Sequence, residues 1–270
     1  MEFRSLASGS SGNCIYIGQG DTHILIDAGI SAKRVEEALR DMDLSPADID
    51  ALFITHEHSD HVAGVRVLLS KYGVPLYATR ETMAAICRDC RQGDVRTDTF
   101  VQIFPNKKVE IKDLTVEPFS ISHDAADPVS YCVYGEDVKV SLATDLGTYD
   151  DYTLDKIKDS DLLYIEANHD RNMLLVGRYP YYLKRRIDGE KGHLSNDDTA
   201  RLLCSMPGRL PETIVLAHLS KENNYPELAR ETVRMELERF AGPDRVPNIT
   251  VALRDCPSEM LNVKGSRCLQ

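Results

Sequence analysis

Four side chains that can hold a metal ion lie within six residues of one another: His56, His58, Asp60 and His61, in the stretch THEHSDH. They follow residues 51–55 (ALFIT), an apolar run typical of a buried strand. Because His56 and His58 are two residues apart, extended backbone points them to the same side, where both can bind one ion. Asp60 and His61 begin the next helix and can face a second ion, as two-metal hydrolytic sites require. The alternative is a surface loop of histidines beside a helix-capping aspartate, but the density of imidazole and carboxylate favours a metal site.

The elements that must position these side chains alternate along the chain. Short apolar or alternating runs separated by Gly-rich turns predict opening strands at residues 3–7, 14–18 and 23–27. Ser31 can cap a helix that follows them, and a second helix is expected from about Asp60 to Gly73. The middle of the chain is rich in strand patterns, and strands and helices alternate again after Asp150. This layout suits two sheets packed face to face with helices outside.

The composition is that of an ordinary folded protein of 270 residues, but the net charge of −11 bears on function. Proteins that hold DNA by its phosphates usually carry a basic face, so a nucleic-acid partner would require a local basic patch. No apolar run approaches the roughly 18 residues of a membrane span, and the start does not read as an export signal. We therefore expect a cytoplasmic protein with no membrane association.

The seven cysteines predict free thiols rather than a disulfide framework, because their number is odd and their spacing irregular. Cys87 and Cys90 form a CxxC pair in a stretch with helical character. No second pair follows at the spacing of a zinc ribbon, which favours buried or surface thiols over a zinc site.

Three further side chains follow the THEHSDH cluster, each at the end of an apolar run. His123 comes after VEPFSI, Asp145 after VKVSLA, and His218 after TIVLA. Together with HxHxDH, this order resembles the metallo-β-lactamase fold, an α/β fold built as a four-layer αββα sandwich. The resemblance covers nearly the whole chain and implies one domain over residues 1–270.

The resemblance implies a full set of ligands for two divalent metal ions. One ion would be held by His56, His58 and His123, and the other by Asp60, His61 and His218, with Asp145 bridging the two. Imidazole and carboxylate ligands without thiolate fit Zn²⁺, Mn²⁺ or Fe²⁺, and ligand type alone does not choose among them. A water between two such ions loses its proton near neutral pH, so hydrolysis is the expected chemistry, and Asp60 can also orient that water.

A second histidine, His193 in GHLS, precedes His218 by twenty-five residues. In the tRNA-processing enzyme RNase Z, which this part of the chain resembles, a histidine placed in this way protonates the leaving oxygen. A phosphodiester needs such a general acid, because an alkoxide is a poor leaving group. The alternative is that His193 merely precedes a helix capped by Ser195 or Asn196. The expected catalytic residues are Asp60 and His193. Secreted β-lactamases and glyoxalase II fit less well, since the first need an export signal and the second add a helical domain.

Longer stretches narrow the resemblance to one family. SLASGSSGNCIYI, LIDAGIS, ITHEHSDHVAGV, EANHD, YPYYLKRRI, GHLSNDDTA and LAHLSKENNYPELA together resemble the YycJ, or WalJ, family of bacterial metallo-β-lactamase-fold proteins. That family is associated with 5′-to-3′ exonuclease activity on DNA, with mismatch repair and with a cell-wall regulon. The resemblance therefore implies a DNA substrate and leaves the oligomeric state open. A cyclic phosphodiesterase for small molecules and an inactive, metal-binding regulatory protein are the alternatives.

Two stretches are candidates for contact with the substrate. YPYYLKRRI brings tyrosines together with Lys184 and Arg185 and can stack on bases and follow a phosphate backbone, although its tyrosines can equally pack inward. The loop SGSSGN offers Ser10, Ser11 and Asn13, whose small neighbours let a phosphate approach the backbone, or it is a simple turn.

Residues of the stretch EANHD are expected to support the site. Asn168 is a candidate substrate contact, and Glu166 and His169 can lie behind the ligands.

Overall fold

The computed structural model describes residues 1–89 and 97–266. In chain order, the strands of this part of the chain are β1 (Glu2–Ala7), β2 (Cys14–Gln19), β3 (Thr22–Ile26), β4 (Ala51–Phe53), β5 (Leu76–Ala78), β6 (Phe100–Gln102), β7 (Val109–Ile111), β8 (Leu114–Ser120), β9 (Val129–Tyr134), β10 (Lys139–Ala143), β11 (Leu162–Glu166), β12 (Thr213–Ala217), β13 (Asn248–Val251) and β14 (Leu261–Asn262). The α-helices are α1 (Ala32–Arg40), α2 (Ser59–Val62), α3 (Val65–Val67), α4 (Arg80–Asp89), α5 (Asp151–Ile157), α6 (Arg171–Val176), α7 (Tyr181–Ile187), α8 (Asn196–Ser205) and α9 (Pro226–Ala241). Within the described ranges, the strands form two mixed sheets.

The chain divides into two compact units. Unit 1 comprises Met1–Ser120, Ala125–Glu136 and Leu253–Lys264, and unit 2 comprises Ile121–Asp124, Asp137–Ala252 and the chain from Gly265 onwards. Two compact units can belong to one domain, so the single domain over residues 1–270 stays a prediction.

Unit 1 contains a sheet in the order β14-β1-β2-β3-β4-β5-β6. The strands β1, β2 and β3 pair antiparallel, as the Gly-rich turns predicted, and β3 to β6 run parallel. Its core is formed by buried side chains on the strands and on one face of α1, among them Leu25, Val35 and Leu52. The predicted cap of α1 is present, since the Ser31 hydroxyl accepts a hydrogen bond from the backbone N–H of Arg34. In the same unit, β7, β8 and β9 form an antiparallel meander.

The second helix differs from the expected continuous helix from Asp60 to Gly73. The structure has the short helices α2 and α3, followed by a π-helical turn at Leu68–Tyr72. Backbone hydrogen bonds between this helical region and the loop after β3 explain the interruption. The Ala28 N–H donates to the His61 carbonyl at 2.9 Å, and the Gly64 N–H donates to the Ala28 carbonyl at 2.8 Å. A side chain at Gly64 would lie 2.4 Å from the Ile30 carbonyl oxygen. The loop after β3 thus holds the start of this helical region in place.

Unit 2 contains the parallel strands β10, β11, β12 and β13, joined in register from Val140 to Val251. Strand β11 is buried throughout, and β10 and β12 are buried after their first residue, as is usual where helices cover parallel strands, whereas β13 at the edge of the sheet is partly exposed. Helix α8 begins at the predicted cap, since the Ser195 hydroxyl accepts from the Asp198 N–H at 3.1 Å. Helix α9 buries Ala229, Val233 and Leu237 at a spacing of four residues and ends at Gly242, whose φ is 87°.

No helix in the described ranges is both long enough and apolar enough to cross a membrane. The described cysteines carry free thiols, of which Cys14 and Cys132 are buried and Cys87 is exposed. Cys90, the other half of the predicted CxxC pair, lies outside the described residues.

Candidate metal centre

The THEHSDH cluster of unit 1 lies just after strand β4. The Nε2 atom of His56 lies 3.1 Å from Nδ1 of His58, and the ring centroids of His56 and His61 are 4.0 Å apart. His61 Nε2 lies 3.7 Å from a carboxylate oxygen of Asp60. His56 and His61 are buried, whereas His58 and Asp60 are half-buried. The four side chains are therefore together in space as well as in sequence.

A buried carboxylate orients His61. Asp27 directly follows strand β3 and accepts a hydrogen bond from His61 Nδ1 at 2.7 Å. The same carboxylate accepts from the backbone N–H of Thr55 at 2.8 Å and from its hydroxyl at 2.9 Å. This network assigns the Nδ1–H tautomer to His61, so Nε2 is the nitrogen that can accept, from a donor group or by binding a cation. Asp27 belongs to the motif LIDAGIS, but a single aspartate after a strand gave no sign of this role.

The SGSSGN loop lies against the same histidine. Asn13 Nδ2 lies 3.1 Å from His61 Nε2, and the Asn13 N–H donates to the Asp60 carbonyl at 2.8 Å. Asn13 Oδ1 accepts from the Gly9 N–H at 2.8 Å, which closes the loop. Glycine is required where the loop meets this region, because a side chain at Gly29 would overlap the Asp60 carbonyl. The loop thus borders the THEHSDH cluster, whereas contact of Ser10, Ser11 or Asn13 with a substrate stays a prediction.

An arginine distant in sequence covers the SGSSGN loop. The Arg254 guanidinium lies where a side chain on Gly9 would be, within 2.9 Å of the Cβ position, and Gly9 has a φ of 134°. Arg254 Nη1 donates to the Ser11 hydroxyl at 3.3 Å. Sequence reasoning missed Arg254, because its motif, ALRDCP, carries no signal that links it to residues 8–13.

Unit 2 gathers the later candidates into one buried cluster. Asp145, Glu166, His193 and His218 each offer a nitrogen or oxygen atom, and these atoms lie within 4.8 Å of one another. One carboxylate oxygen of Asp145 lies 3.4 Å from His218 Nδ1, 3.8 Å from His193 Nδ1 and 3.9 Å from His123 Nε2. These residues come from the ends of β10, β11 and β12 and from the loops beside them. The carboxyl ends of neighbouring parallel strands bring them together.

Glu166 is the centre of this cluster. Its Oε1 atom accepts from His218 Nδ1 at 2.7 Å and from His193 Nδ1 at 2.8 Å. Its Oε2 atom accepts from the N–H groups of Leu146 and Leu194 at 2.9 and 3.1 Å. Burial by itself would raise the pKa of this carboxyl group, but the charges of the two histidines and their hydrogen bonds outweigh burial and hold the pKa well below its usual range. Glu166 was expected only to lie behind the ligands, and the structure gives it contacts to both histidines.

His123 lies at the edge of the same cluster. Its Nδ1 atom is 3.3 Å from the Gly192 carbonyl, the residue before His193, which leaves Nε2 on the side of Asp145. Burial lowers the pKa of His123, an effect that the charge of Asp145 opposes. A neutral imidazole is the form that binds a metal ion.

Asn168 and His169 lie behind the cluster. The Asn168 side chain is buried and donates to the His218 carbonyl at 2.9 Å, so it holds the backbone of that histidine. A direct contact between Asn168 and a substrate stays a prediction. The His169 ring is fully buried, lies 3.5 Å from the half-exposed Asp188, and has its pKa lowered by burial.

The cations of YPYYLKRRI lie on α7 with different contacts. Lys184 Nζ donates to the Leu175 carbonyl at 2.6 Å, and the Arg185 guanidinium lies 6.0 Å from the ring centroid of Tyr181. Arg186 makes a two-pronged ion pair with Asp124, at 2.6 and 3.1 Å. The stretch is therefore not a uniform row of free cations.

The donors in each unit suit divalent metal ions. Unit 1 offers imidazole nitrogens and the Asp60 carboxylate, and unit 2 offers imidazole nitrogens and the Asp145 carboxylate. Asp27 and Glu166 bind Nδ1 of His61 and His218 respectively, an arrangement typical of histidines that bind metal through Nε2. The chemistry of the donors thus fits divalent metal ions.

The chain is similar in sequence to proteins of a known family. The profile of the β-lactamase superfamily domain matches residues 22–219. The chain is 39% identical over 238 residues to an exodeoxyribonuclease, YycJ, of Bacillus anthracis, covering 88% of this chain and 89% of that protein. It is 40% identical over 237 residues to an exodeoxyribonuclease, WalJ, of Streptococcus pneumoniae, covering 88% of each chain.

A solved structure shows the same fold. Zn²⁺-bound PqqB from Methylobacterium extorquens superposes with a TM-score of 0.69 at 17% identity, covering 97% of this chain and all of that one. The αββα sandwich predicted from the sequence is thereby confirmed.

Proposed function

The chain belongs to the β-lactamase superfamily, in its metallo-β-lactamase-fold form, and to the family of the exodeoxyribonucleases YycJ and WalJ, and from this we propose that it is a metal-dependent exonuclease that removes nucleotides from the 5′ end of DNA. The observation that carries the proposal is the contact of one buried carboxylate, Glu166, with both His193 and His218. This contact orients His193 as a proton donor and His218 as a proposed metal ligand, and hydrolysis of a phosphodiester uses both kinds of group.

Two divalent ions, Zn²⁺, Mn²⁺ or Fe²⁺, are the proposed cofactors. The family's order of ligands supports His56, His58 and His123 for one ion, Asp60, His61 and His218 for the other, and Asp145 as the bridge. When bound, such ions supply a nucleophile at neutral pH and offset negative charge on the phosphate. The protein's contribution is to fix the imidazoles, which Asp27 does for His61 and Glu166 does for His218.

His193 is the proposed general acid. Its Nδ1–H is held by Glu166, so a second proton resides on Nε2 when the ring is charged, and that proton can pass to the leaving 3′ oxygen. The carboxylate of Glu166 supports this role because it holds the imidazole in one orientation through Nδ1–H. His193 is also less buried than His218, at 18% against 2% side-chain exposure, as a group that meets the substrate should be.

The SGSSGN loop and Arg254 are the proposed contacts to the substrate's phosphates in unit 1. Ser10 and Ser11 are exposed hydroxyls on a loop that Asn13 ties to Asp60 and His61. Arg254 lies across the loop and reaches Ser11, which places a guanidinium beside these hydroxyls. If Arg254→Gln and Ser11→Ala both leave the Michaelis constant for DNA unchanged, this loop is only a turn.

A DNA substrate also supports a cytoplasmic location, and the free thiols in the described part of the chain agree with a reducing compartment.

A substrate panel tests the proposed activity. The protein loaded with Mn²⁺ or Zn²⁺ is given DNA labelled at the 5′ or at the 3′ end, as duplex and as single strand, together with RNA and bis-p-nitrophenyl phosphate. We expect release of labelled mononucleotide from 5′-labelled DNA from the first turnovers, with only gradual shortening of 3′-labelled DNA. Turnover of the small ester alone would favour a small-molecule phosphodiesterase, and no turnover with either metal would favour a regulatory metal-binding protein.

The Asp60→Ala variant tests the two-metal site within that activity. Asp60 is half-buried, so the variant should fold, and loss of its carboxylate should abolish hydrolysis. Ser59→Ala, one residue away and exposed, is the matched control and should retain activity. Full activity of the Asp60→Ala variant would contradict the proposed ligand set.

A further inference from the structure

Four large apolar side chains lie exposed within eight residues of unit 2. Leu175 and Val176 are 73% and 83% exposed, and Tyr181 and Tyr182 are each 75% exposed. Single exposed apolar residues are ordinary on a protein surface, but a cluster of them marks a site of interaction. We call these four residues the α6–α7 platform.

The platform is held by specific contacts. Helix α6 ends at Gly177, whose N–H donates to the Met173 carbonyl at 2.8 Å, and a side chain at Gly177 would lie 2.6 Å from Asn223 Oδ1. Lys184 Nζ donates to the Leu175 carbonyl, which ties α7 back to the end of α6. The exposed side chains are therefore presented by a braced pair of helices.

The same helices are tied to the candidate catalytic residues of unit 2. Arg186 pairs with Asp124, the residue after His123, and the His193 N–H donates to the Ile187 carbonyl at 2.8 Å. The carboxyl end of α7 thus contacts both the loop of a proposed metal ligand and the loop of the proposed general acid. Helix α7 thus joins the platform to both loops.

The charges beside the platform identify what it suits. Arg185 lies over the Tyr181 ring, and Arg178 is exposed on the turn between the helices. Aromatic rings next to guanidinium groups stack on unpaired bases and attract the phosphates between them, whereas paired bases hide their faces within the duplex. Such a surface is also unusual in a chain whose net charge is −11.

We propose that Tyr181 and Tyr182 stack on unpaired bases of a single-stranded DNA end and so make a frayed or single-stranded end the preferred substrate. This inference rests on the proposed exonuclease function and adds to it a substrate preference and the residues that set it. Leu175 and Val176 extend the apolar surface under the bases, and Arg185 faces the backbone.

Binding measurements test the platform directly. The affinity of the full chain for a fluorescent single strand and for the blunt duplex of the same sequence is measured in EDTA, so that no cleavage occurs. The double variant Tyr181→Ala, Tyr182→Ala should bind the single strand roughly tenfold or more weakly, because stacking on each base is lost. The double variant with Phe at both positions should restore most of the affinity, since it retains the rings. Phe240→Ala removes a ring that is 62% exposed on α9 and is the matched control, with affinity unchanged.

Two outcomes would overturn the inference. The first is that the double alanine variant binds the single strand as tightly as the unaltered protein does. The second is that its affinity for the blunt duplex, which offers no exposed base faces, falls as much as its affinity for the single strand. A different result would make the platform a membrane-binding surface instead: the unaltered protein sediments with phosphatidylserine vesicles, whereas the double alanine variant does not, although it binds DNA normally. Hydrolysis by the unaltered protein separates this inference from the proposed function. If the unaltered protein degrades neither DNA nor the small ester, the proposed function is wrong. If it degrades DNA but the double alanine variant binds the single strand as well as the unaltered protein does, only the inference about the platform is wrong.

Discussion

Glu166 and Asp27 perform the same task in the two units. Each is a buried carboxylate that accepts Nδ1–H from a histidine, His218 in one case and His61 in the other. The geometry fixes the tautomer and the ring plane, so Nε2 is the nitrogen through which each histidine would bind a cation. The proposed ligands depend on these carboxylates as much as on their own positions in the chain.

Glu166 is the residue whose loss should be most informative. A glutamine at this position has one acceptor oxygen and a donor NH₂ group, so it cannot accept from two histidines and two backbone N–H groups together. In Glu166→Gln we expect metal affinity to fall by roughly 10–100-fold, and hydrolysis of DNA to fall by a further roughly 10²–10⁴-fold through loss of the oriented acid. Isothermal titration with Zn²⁺ and the rate at saturating metal measure the two effects separately.

The control variant must remove one negative charge, as Glu166→Gln does, without removing the contacts of Glu166. Glu222→Gln alters an exposed residue near His218 in sequence and should change neither quantity. Because Glu166 is fully buried, the thermal melting curve of the metal-free variant must show a folded protein. Unchanged metal affinity and rate in a folded Glu166→Gln variant would refute the positioning role.

At the level of elements, strand ends carry the chemistry. Asp27, Asp145 and His218 each follow a strand and have φ values of 60°, 58° and 55°. Left-handed backbone is uncommon for residues other than glycine and costs of order 1–3 kcal/mol, a cost that persists where function requires the geometry. Of the seven residues other than glycine with positive φ in the described ranges, these three thus belong to the candidate site.

The sequence predicted most of these elements because their patterns are local. The opening strands, the cap at Ser31 and the cap at Ser195 all depend on residues within a few positions of one another. The break between α2 and α3 was not predictable in this way, because it depends on backbone bonds from Ala28 to the helical region.

Contacts between residues far apart in sequence were likewise out of reach. Arg254 meets Gly9 and Ser11 only after the chain has folded, and no spacing in the sequence encodes that contact. The ligand types and their order were readable, whereas the carboxylates that orient them required the structure.

Asp161, at the start of β11, illustrates how one side chain joins several elements of unit 2. Its carboxylate accepts from the Lys139 N–H at 2.9 Å, the Ser266 hydroxyl at 2.8 Å and the Arg209 guanidinium at 2.5 Å. Burial would raise the pKa of Asp161, but these hydrogen bonds outweigh it and lower the pKa below the usual value. Because the pKa is lower in the folded state, the stabilisation is fully present above the unfolded value of about 3.9 and is lost as pH falls through the folded value.

We therefore expect Asp161→Asn to lower the free energy of unfolding by about 2 kcal/mol at pH 7. The difference from the unaltered protein should shrink as the pH falls from about 4 through the lower pKa of the folded state, because the carboxylate is protonated in both states only below that folded-state pKa. Urea unfolding at several pH values measures this, with the exposed Asp151→Asn on α5 as control for the loss of charge. A difference that stays constant from pH 7 to pH 3 would show that the charge of Asp161 does not contribute.

Metal binding should stabilise the whole molecule. A metal ion that binds only the folded state raises the free energy of unfolding, by about 2.7 kcal/mol when the free metal concentration is 100 times its dissociation constant. For a chain of this size that corresponds to a rise in melting temperature of roughly 5–10 °C between EDTA and Zn²⁺. Differential scanning calorimetry measures the rise, and the variant His56→Ala, His218→Ala should lose most of it. His23→Ala, which removes a histidine outside the proposed ligand set, should retain it, and an equal rise in all three proteins would place the stabilising ion elsewhere.

The net charge of −11 limits how the whole molecule can hold DNA, because a negatively charged chain repels phosphate. Binding must then depend on few cations, and Arg185 is placed for this since it is exposed beside the platform, whereas Arg186 is engaged with Asp124. We expect Arg185→Glu to weaken binding to every DNA sequence alike and to reduce the slope of log affinity against log salt by about 1. Arg201→Glu, an exposed reversal on α8, should change the slope less, because it lies outside the platform. Salt titrations of single-strand binding decide this, and equal slopes for the unaltered protein and Arg185→Glu would remove Arg185 from the phosphate contacts.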